Sequence, residues 1–264
     1  MRRNFHQIAY AALDVCNALE RADLAACVTR TGLGEGAQAL EIGAGNGEVS
    51  VLLARDFGMT VEAVELDWGM AALAQGRVDA AGVADRVTLH RLRSDTVLAD
   101  LSGLDLICVI GATEPVGEGV REPRAMLEGL RPHLKDGGWV IWGDLFWKDD
   151  PPAPLRQVME LSNLYATHEG WQAAAREAGY EIVSAGASSD ATWDRYLAAM
   201  DAAARDWIAA NPDAEERRTV EASADRVKSM FAFGRPWLGF GLYLFRKPRV
   251  SGAFSRNTRA FDRL

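Results

Sequence analysis

Cysteine is scarce in this chain of 264 residues, which holds only Cys16, Cys27 and Cys108. No two of them form a CxxC pair or a Cys/His spacing suited to zinc, so no metal site and no disulfide framework is expected. A reducing compartment fits this usage, and Cys108, inside an apolar run, reads as a buried, inert thiol. Positive charge is also in deficit: 37 Asp and Glu stand against 29 Lys and Arg, a net charge of -8. With no global basic field to hold a phosphate backbone, nucleic acid is not an expected partner. Long hydrophobic runs are missing too. None approaches the roughly 20 apolar residues that span a bilayer, so no membrane partner is expected. The opening MRRNFHQIAYAALDVCNAL has two arginines but neither a sustained apolar core nor a small-residue cleavage site. It makes a poor secretion signal, and the cytoplasm is the expected compartment.

What is present is a rhythm. Phe5, Ile8, Leu13, Cys16, Leu19, Leu24 and Val28 recur at helical spacing and predict one or two amphipathic helices, stopped by TGLGEG. QALEIGA then reads as a buried strand, EVSVLLARDFG as a helix closed by Gly58, and TVEAVEL as a second strand. A helix follows with Asp67 as its N-cap. RVTLHRL and DLICVIGA are the third and fourth strands. REPRAMLEGLRPHL is helical, and GGWVIWGDLFW is a fifth strand entered through a turn at residues 135–138. Beyond the break KDDPPAP, helices are predicted over 155–164 and from Glu169 to Gly179, with YEIVSAG as strand six. Residues 191–210 and 212–232 are helical, interrupted by Asn211 and Pro212, and GFGLYLFRK is the seventh strand.

Strands alternating with helices predict an α/β fold: a seven-stranded, mostly parallel sheet with helices on both faces and a ligand crevice at the strands' carboxyl ends. The expected layout is a helical cap (1–35), a Rossmann-like core (36–187), a helical insertion before the last strand (188–238), that strand (239–248) and a basic tail (249–264). The insertion is too large for a plain connection and reads as a lid that excludes water.

The glycine loop decides the ligand class. Gly43, Gly45 and Gly47 are spaced G-x-G-x-G, one residue shorter than the dinucleotide fingerprint. No Gly-Lys-Ser/Thr ending is present for a triphosphate. A loop this compact lets backbone amides approach a small carboxylate, and Glu41, two residues before it, can meet an ammonium group. Glu65 ends the second strand, where a carboxylate can accept hydrogen bonds from both hydroxyls of a ribose.

LEIGAGNGE, VEAVELD, DLICVIGAT and LRPHLKDGGWVIWGD occur in the order and spacing of the class I S-adenosylmethionine (SAM)-dependent methyltransferases, which this chain resembles over residues 36–148 and more loosely to about 247. The resemblance implies SAM as cofactor and S-adenosylhomocysteine (SAH) as product. Residues 43–47, with Ala44, would contact the methionine part, Glu65 the ribose, and Leu66 the adenine. Many relatives carry an Asp after strand three for the adenine amino group. RLRSDT places Arg93 there, leaving Ser94 or Asp95 for the contact. Ile110 and Gly111 end strand four, where the family places the methyl group and the incoming substrate.

A methyltransferase must mainly align nucleophile, methyl and sulfur, and needs a base only when the nucleophile holds its proton. Glu114, His6, Tyr10 and His168 are the candidates for that role; a capping or packing histidine competes with each imidazole. Trp147, Tyr196 and Trp237 are candidate walls for the substrate and Arg235 a candidate partner for a substrate carboxylate, although aromatics at helical spacing are more often core and an arginine more often a surface ion pair. The expected partner is a small-molecule substrate, and the expected assembly is a monomer or homodimer. Other SAM chemistry such as cyclopropanation, and a non-catalytic SAM-binding subunit, are the competing readings.

Overall fold

The structure is a computed structural model that describes residues 4–161 and 163–249. The expected basic tail lies, from residue 250 onward, outside the described residues. Seven strands form one sheet: β1 (Gln38–Ile42), β2 (Thr60–Val64), β3 (Val87–His90), β4 (Leu104–Ile110), β5 (Leu134–Trp147), β6 (Glu181–Ala187) and β7 (Leu238–Arg246). Their order is β3-β2-β1-β4-β5-β7-β6, parallel except that β7 runs antiparallel to both β5 and β6.

The central strands are apolar on both faces, as a sheet covered by helices on both sides requires. Residue alternation sorts their side chains into two cores. Leu106, Cys108 and Ile141 face one layer with Leu24 and Val28 of α2 (Arg21–Thr31) and Leu52 and Leu53. Leu40, Ile107, Val109 and Trp142 face the other with Leu127 of α6 (Pro123–Leu130) and Trp171 of α8 (His168–Glu177).

Several boundaries differ from the expected ones. The helix after the glycine loop is four α residues, α3 (Glu48–Val51), continued by a π-helical turn over Leu52–Asp56. α4 (Trp68–Ala80) starts as expected, the Asp67 carboxylate accepting from the Gly69 and Met70 N–H groups. α5 is the short turn Ser94–Leu98. β5 runs straight through the expected turn at 135–138. Leu104 pairs with Leu134 and Leu106 with Trp139, so the extra residues form a bulge, held where the Gly137 N–H donates to the Lys247 carbonyl (3.0 Å). The helix expected over 155–164 is α7 (Ala153–Met159) and stops early. The chain beyond it bonds elsewhere: the Leu164 N–H goes to Arg121, and the Ala166 carbonyl receives the Trp147 N–H.

The first helix, α1 (Phe5–Ala11), opens with a capping box between Asn4 and Gln7. Phe5, Ala9 and Leu13 bury their apolar faces against Met200, Ala204 and Ala224 of the long pair α9 (Asp190–Ala210) and α10 (Arg217–Gly234). The segment expected as an insertion thus roofs α1, and α1 in turn lies over the carboxyl ends of the central strands.

Gly47 sets how closely α3 meets α4. Its φ is 83°, and a Cβ there would stand 2.8 Å from the Ala74 Cα. Gly47→Ala combines left-handed strain with backbone overlap, and should lower the unfolding free energy by about 2–4 kcal/mol in denaturant titrations.

Candidate active site

A cavity of about 490 Å³ opens at the carboxyl ends of β1, β2 and β4. Its size suits a small-molecule ligand. Ile42, Gly43 and Gly45 make one wall, and Val64, Glu65 and Leu66 a second. Leu92, Arg93 and Ser94 lie beyond β3, and Ile110 to Glu114 follow β4. The roof comes from the N-terminal segment: Asn4, His6, Tyr10, Cys16 and Asn17.

The roof is tied down by side chains of the floor. Asn46, inside the glycine loop and 2% exposed, donates through Nδ2 to the carbonyls of Tyr10 (3.0 Å) and Leu13 (2.9 Å). Its Oδ1 accepts from the Glu48 N–H, so the same carboxamide caps α3. Arg77 of α4 donates to the Ala11 and Leu13 carbonyls (3.1 and 2.7 Å). Asn17 reaches the Ile110 carbonyl at 3.2 Å, a position open only because residue 111 is glycine: a Cβ there would lie 2.6 Å from Asn17 Oδ1.

Glu65 spans the floor. One carboxylate oxygen accepts from the Gly45 N–H and the other from the Asp67 N–H, both at 2.8 Å. Burial nonetheless pushes its pKa above the usual carboxylate range. Desolvation lowers His6, which favours neutral imidazole at pH 7, and raises Tyr10, which stays a phenol.

Of the expected residues, His6, Tyr10, Gly43, Gly45, Glu65, Leu66, Ser94, Ile110, Gly111 and Glu114 come together on this cavity. Ala44 and Gly47 belong to the loop without lining it; the Ala44 N–H donates to the Val64 carbonyl. Glu41 departs from expectation. Strand alternation turns it into the core, where it accepts a hydrogen bond from the Ser50 hydroxyl, and burial raises its pKa to about 8. It is mainly a neutral acid at pH 7 and presents no open carboxylate to an ammonium group. Asp95 is drawn away from the cavity by Arg93 (3.0 Å), so Ser94 alone of that pair reaches it.

His168 also lies elsewhere, bonded to the Tyr243 hydroxyl (2.9 Å) and packed on Phe146. None of the four substrate candidates lines the cavity. Trp147 is core, its indole N–H on Glu160. Tyr196 backs the roof from outside, its hydroxyl donating to the Cys16 carbonyl. Trp237 packs on Phe233, and Arg235 pairs with Asp190 above the Trp193 ring. Helical aromatic spacing here marks packing.

Two residues that the sequence did not single out stand behind the wall after β4. Asn163 and Asp144 are 2% and 3% exposed, and Asn163 Nδ2 donates to Asp144 (3.3 Å) and to the Ala112 carbonyl (2.9 Å). Asn163 Oδ1 accepts from the Glu114 N–H (3.0 Å). Burial raises Asp144 to about 7. Asn163 lies 49 residues from Glu114, and no spacing pattern announces the pair. Asn46 had a signal: it is the amide inside GAGNG.

Residues 39–138 match a family model described as a methyltransferase domain. YjhP, an uncharacterised protein of Escherichia coli K12, is 27% identical over 213 residues, 79% of this chain and 84% of its own length. Two solved structures are similar throughout, both SAM-dependent methyltransferases in complex with SAH. The one from Geobacter sulfurreducens is 28% identical with a TM-score of 0.78, covering 93% of this chain and 98% of its own. The one from Thiobacillus denitrificans is 25% identical with a TM-score of 0.77, covering 92% and 98%.

Asn46→Ala should remove the carboxamide's bonds to the Tyr10, Leu13 and Asp14 carbonyls, cost about 1–3 kcal/mol, and expose the segment after α1 to limited proteolysis. The buried acids set a pH dependence. Between the ordinary Glu value of 4.5 and about 8, folded Glu41 holds a proton that the unfolded chain has released. The folded state therefore binds more protons in that window, and Glu41 makes stability fall as pH rises through it. Glu41→Gln should flatten that fall in denaturant melts at pH 5, 6.5 and 8.

Proposed function

We propose that this chain, a class I SAM-dependent methyltransferase, transfers the cofactor's methyl group to an O, N, S or C nucleophile of a small molecule held beneath α1. The observation that carries the reading is a single cavity of about 490 Å³ running from the glycine loop to Glu114. Its residues fit the cofactor. Gly43 and Gly45 keep the floor free of side chains where a Cβ would meet Ala112 (2.9 Å) or Cys16 (3.0 Å), and Glu65 offers a carboxylate beside them.

Gly43 and Gly45 would hold the amino-acid end, Glu65 the ribose hydroxyls, and Leu66 with Ser94 the adenine side. When bound, SAM supplies a methyl carbon already activated by its sulfonium. The protein's part is then orientation: α1 and the wall after β4 confine the acceptor, and burial under α9 and α10 excludes water. Glu114 and His6, the latter favouring its neutral form, can take a proton from the nucleophile; Tyr10, kept as a phenol, can donate a hydrogen bond to it.

Polar groups at the acceptor end (His6, Tyr10, Asn17, Thr113 and Glu114) favour a polar acceptor over the acyl chain a cyclopropane-forming enzyme takes. Turnover separates the enzyme from a non-catalytic SAM-binding subunit. No described helix is long and apolar enough to cross a membrane. The three free thiols suit a cytoplasmic small-molecule enzyme, monomeric or homodimeric, with residues 188–238 as its lid.

Calorimetry should show SAM and SAH binding at micromolar levels, with Glu65→Ala weakening both at least tenfold. Unchanged affinity in that variant would remove Glu65 from the ribose, and tight NAD binding would overturn the cofactor assignment.

A further inference from the structure

Glu114 is the one non-glycine residue at positive φ among the described residues, at 47°, and it precedes Pro115. Both features oppose the observed backbone. A Cβ crowds the left-handed region, and the residue before a proline is pushed toward extended conformations. Such a conformation persists only where the surroundings over-determine it.

The surrounding residues do so from a distance. Asn163 spends its oxygen on the Glu114 N–H and its nitrogen on the Ala112 carbonyl, gripping the chain on both sides of Thr113. Asp144 accepts a further bond from that nitrogen and is itself oriented by the Leu145 N–H at 2.8 Å. The Gly117 N–H closes the turn on the Glu114 carbonyl at 3.2 Å. The strained turn therefore has a buried polar brace on its core side, while Glu114 itself lines the cavity on the other.

The charge placed there is selective. Around the acceptor end, Asn17, Thr113 and Tyr10 are uncharged, His6 favours its neutral form, and Glu114 is the carboxylate among them. Arg93, the cation lining the cavity, already holds Asp95 and Glu118. An anionic acceptor would meet Glu114 without a free countercharge among the described lining residues, whereas an ammonium group finds an ionic hydrogen-bond partner there; neutral His6, on the same cavity, can take its proton and free the lone pair that attacks the methyl carbon, with SAH as the leaving group.

We propose that Asn163, braced by Asp144, is the positioning residue that holds Glu114 in the cavity wall as the recognition carboxylate for an amine acceptor. This rests on the methyltransferase reading, from which the test separates it. Full-length wild type, Asn163→Ala and Glu114→Gln are compared by SAH calorimetry, by crystal structures of the SAH complexes, and by SAH formation from primary amines, secondary amines, phenols and carboxylic acids of matched size. All three proteins should bind SAH within about twofold of one another. Loss of SAH binding by the wild type would sink the cofactor reading instead. In Asn163→Ala, residue 114 should leave the left-handed region and its carboxylate the wall. KM for amines should rise at least tenfold with kcat changed less, and Glu114→Gln should lose the preference for amines. A residue 114 that keeps its φ and position in Asn163→Ala would overturn the proposal, as would wild-type turnover confined to carboxylic acids or phenols, or no turnover of any amine. Should Asn163→Ala not fold, an undiminished amine preference in Glu114→Gln would overturn it equally.

Discussion

The carboxamide of Asn46 is the tie on which the rest of the site depends. It sits in the glycine loop, caps the helix below and holds the carbonyls at the end of α1 above. Floor and roof of the cavity are thereby one hydrogen-bonded unit, although 36 residues separate Tyr10 from Asn46 along the chain. Each bond contributes about 0.5–1.5 kcal/mol net, but the larger consequence is that none of these polar atoms is left buried and unpaired. Because α1 is fixed this way, the long helices α9 and α10 have a defined apolar surface to cover, through Phe5, Ala9 and Leu13.

Buried acids give the region its second character. Glu41, Glu65 and Asp144 all lie at or behind the carboxyl ends of strands, and all have their pKa values raised, chiefly by desolvation. They divide the work by what their neighbours leave free. Glu41 is closed off by Ser50 and acts as a core hydrogen-bond acceptor. Glu65 receives two backbone N–H groups and still faces the cavity. Asp144 never reaches the cavity and works only through Asn163. Position relative to the last residue of each strand, rather than residue type, separates these roles.

Much of this was legible in the chain itself. Seven strands in their predicted order, the N-cap at Asp67 and the stop at Gly58 all follow from local preferences: apolar runs of strand length, a side chain that bonds its own helix, a glycine that tolerates positive φ. The glycine loop and the carboxylate just after β2 were legible because each directly follows a strand with a clear apolar run. Misplaced expectations concern side chains whose neighbours come from far along the chain. Trp147, Tyr196 and Trp237 offer aromatic surface, yet Trp147 bonds Glu160, 13 residues on, Tyr196 bonds Cys16 in the N-terminal segment, and Trp237 packs against the cluster of Trp147, Leu155 and Met159. α7 ends earlier than its local pattern predicts because Leu164 and Ala166, in the chain beyond it, hydrogen-bond to Arg121 and Trp147.

The sequence by itself determined the layer architecture, the order of elements and the glycines and carboxylate, Gly43, Gly45 and Glu65, that line the cavity floor. Periodicity, capping and glycine conformation are properties of neighbouring residues, and neighbours in sequence are enough to express them. Only the tertiary structure decided which acid is sealed and which is open, that Asn46 and Arg77 hold the roof, and that Asn163 and Asp144 brace the strained turn at Glu114. Those outcomes depend on burial and on hydrogen bonds between segments tens of residues apart. Such partners are chosen by packing, once the sheet has brought strand ends and loops into one place.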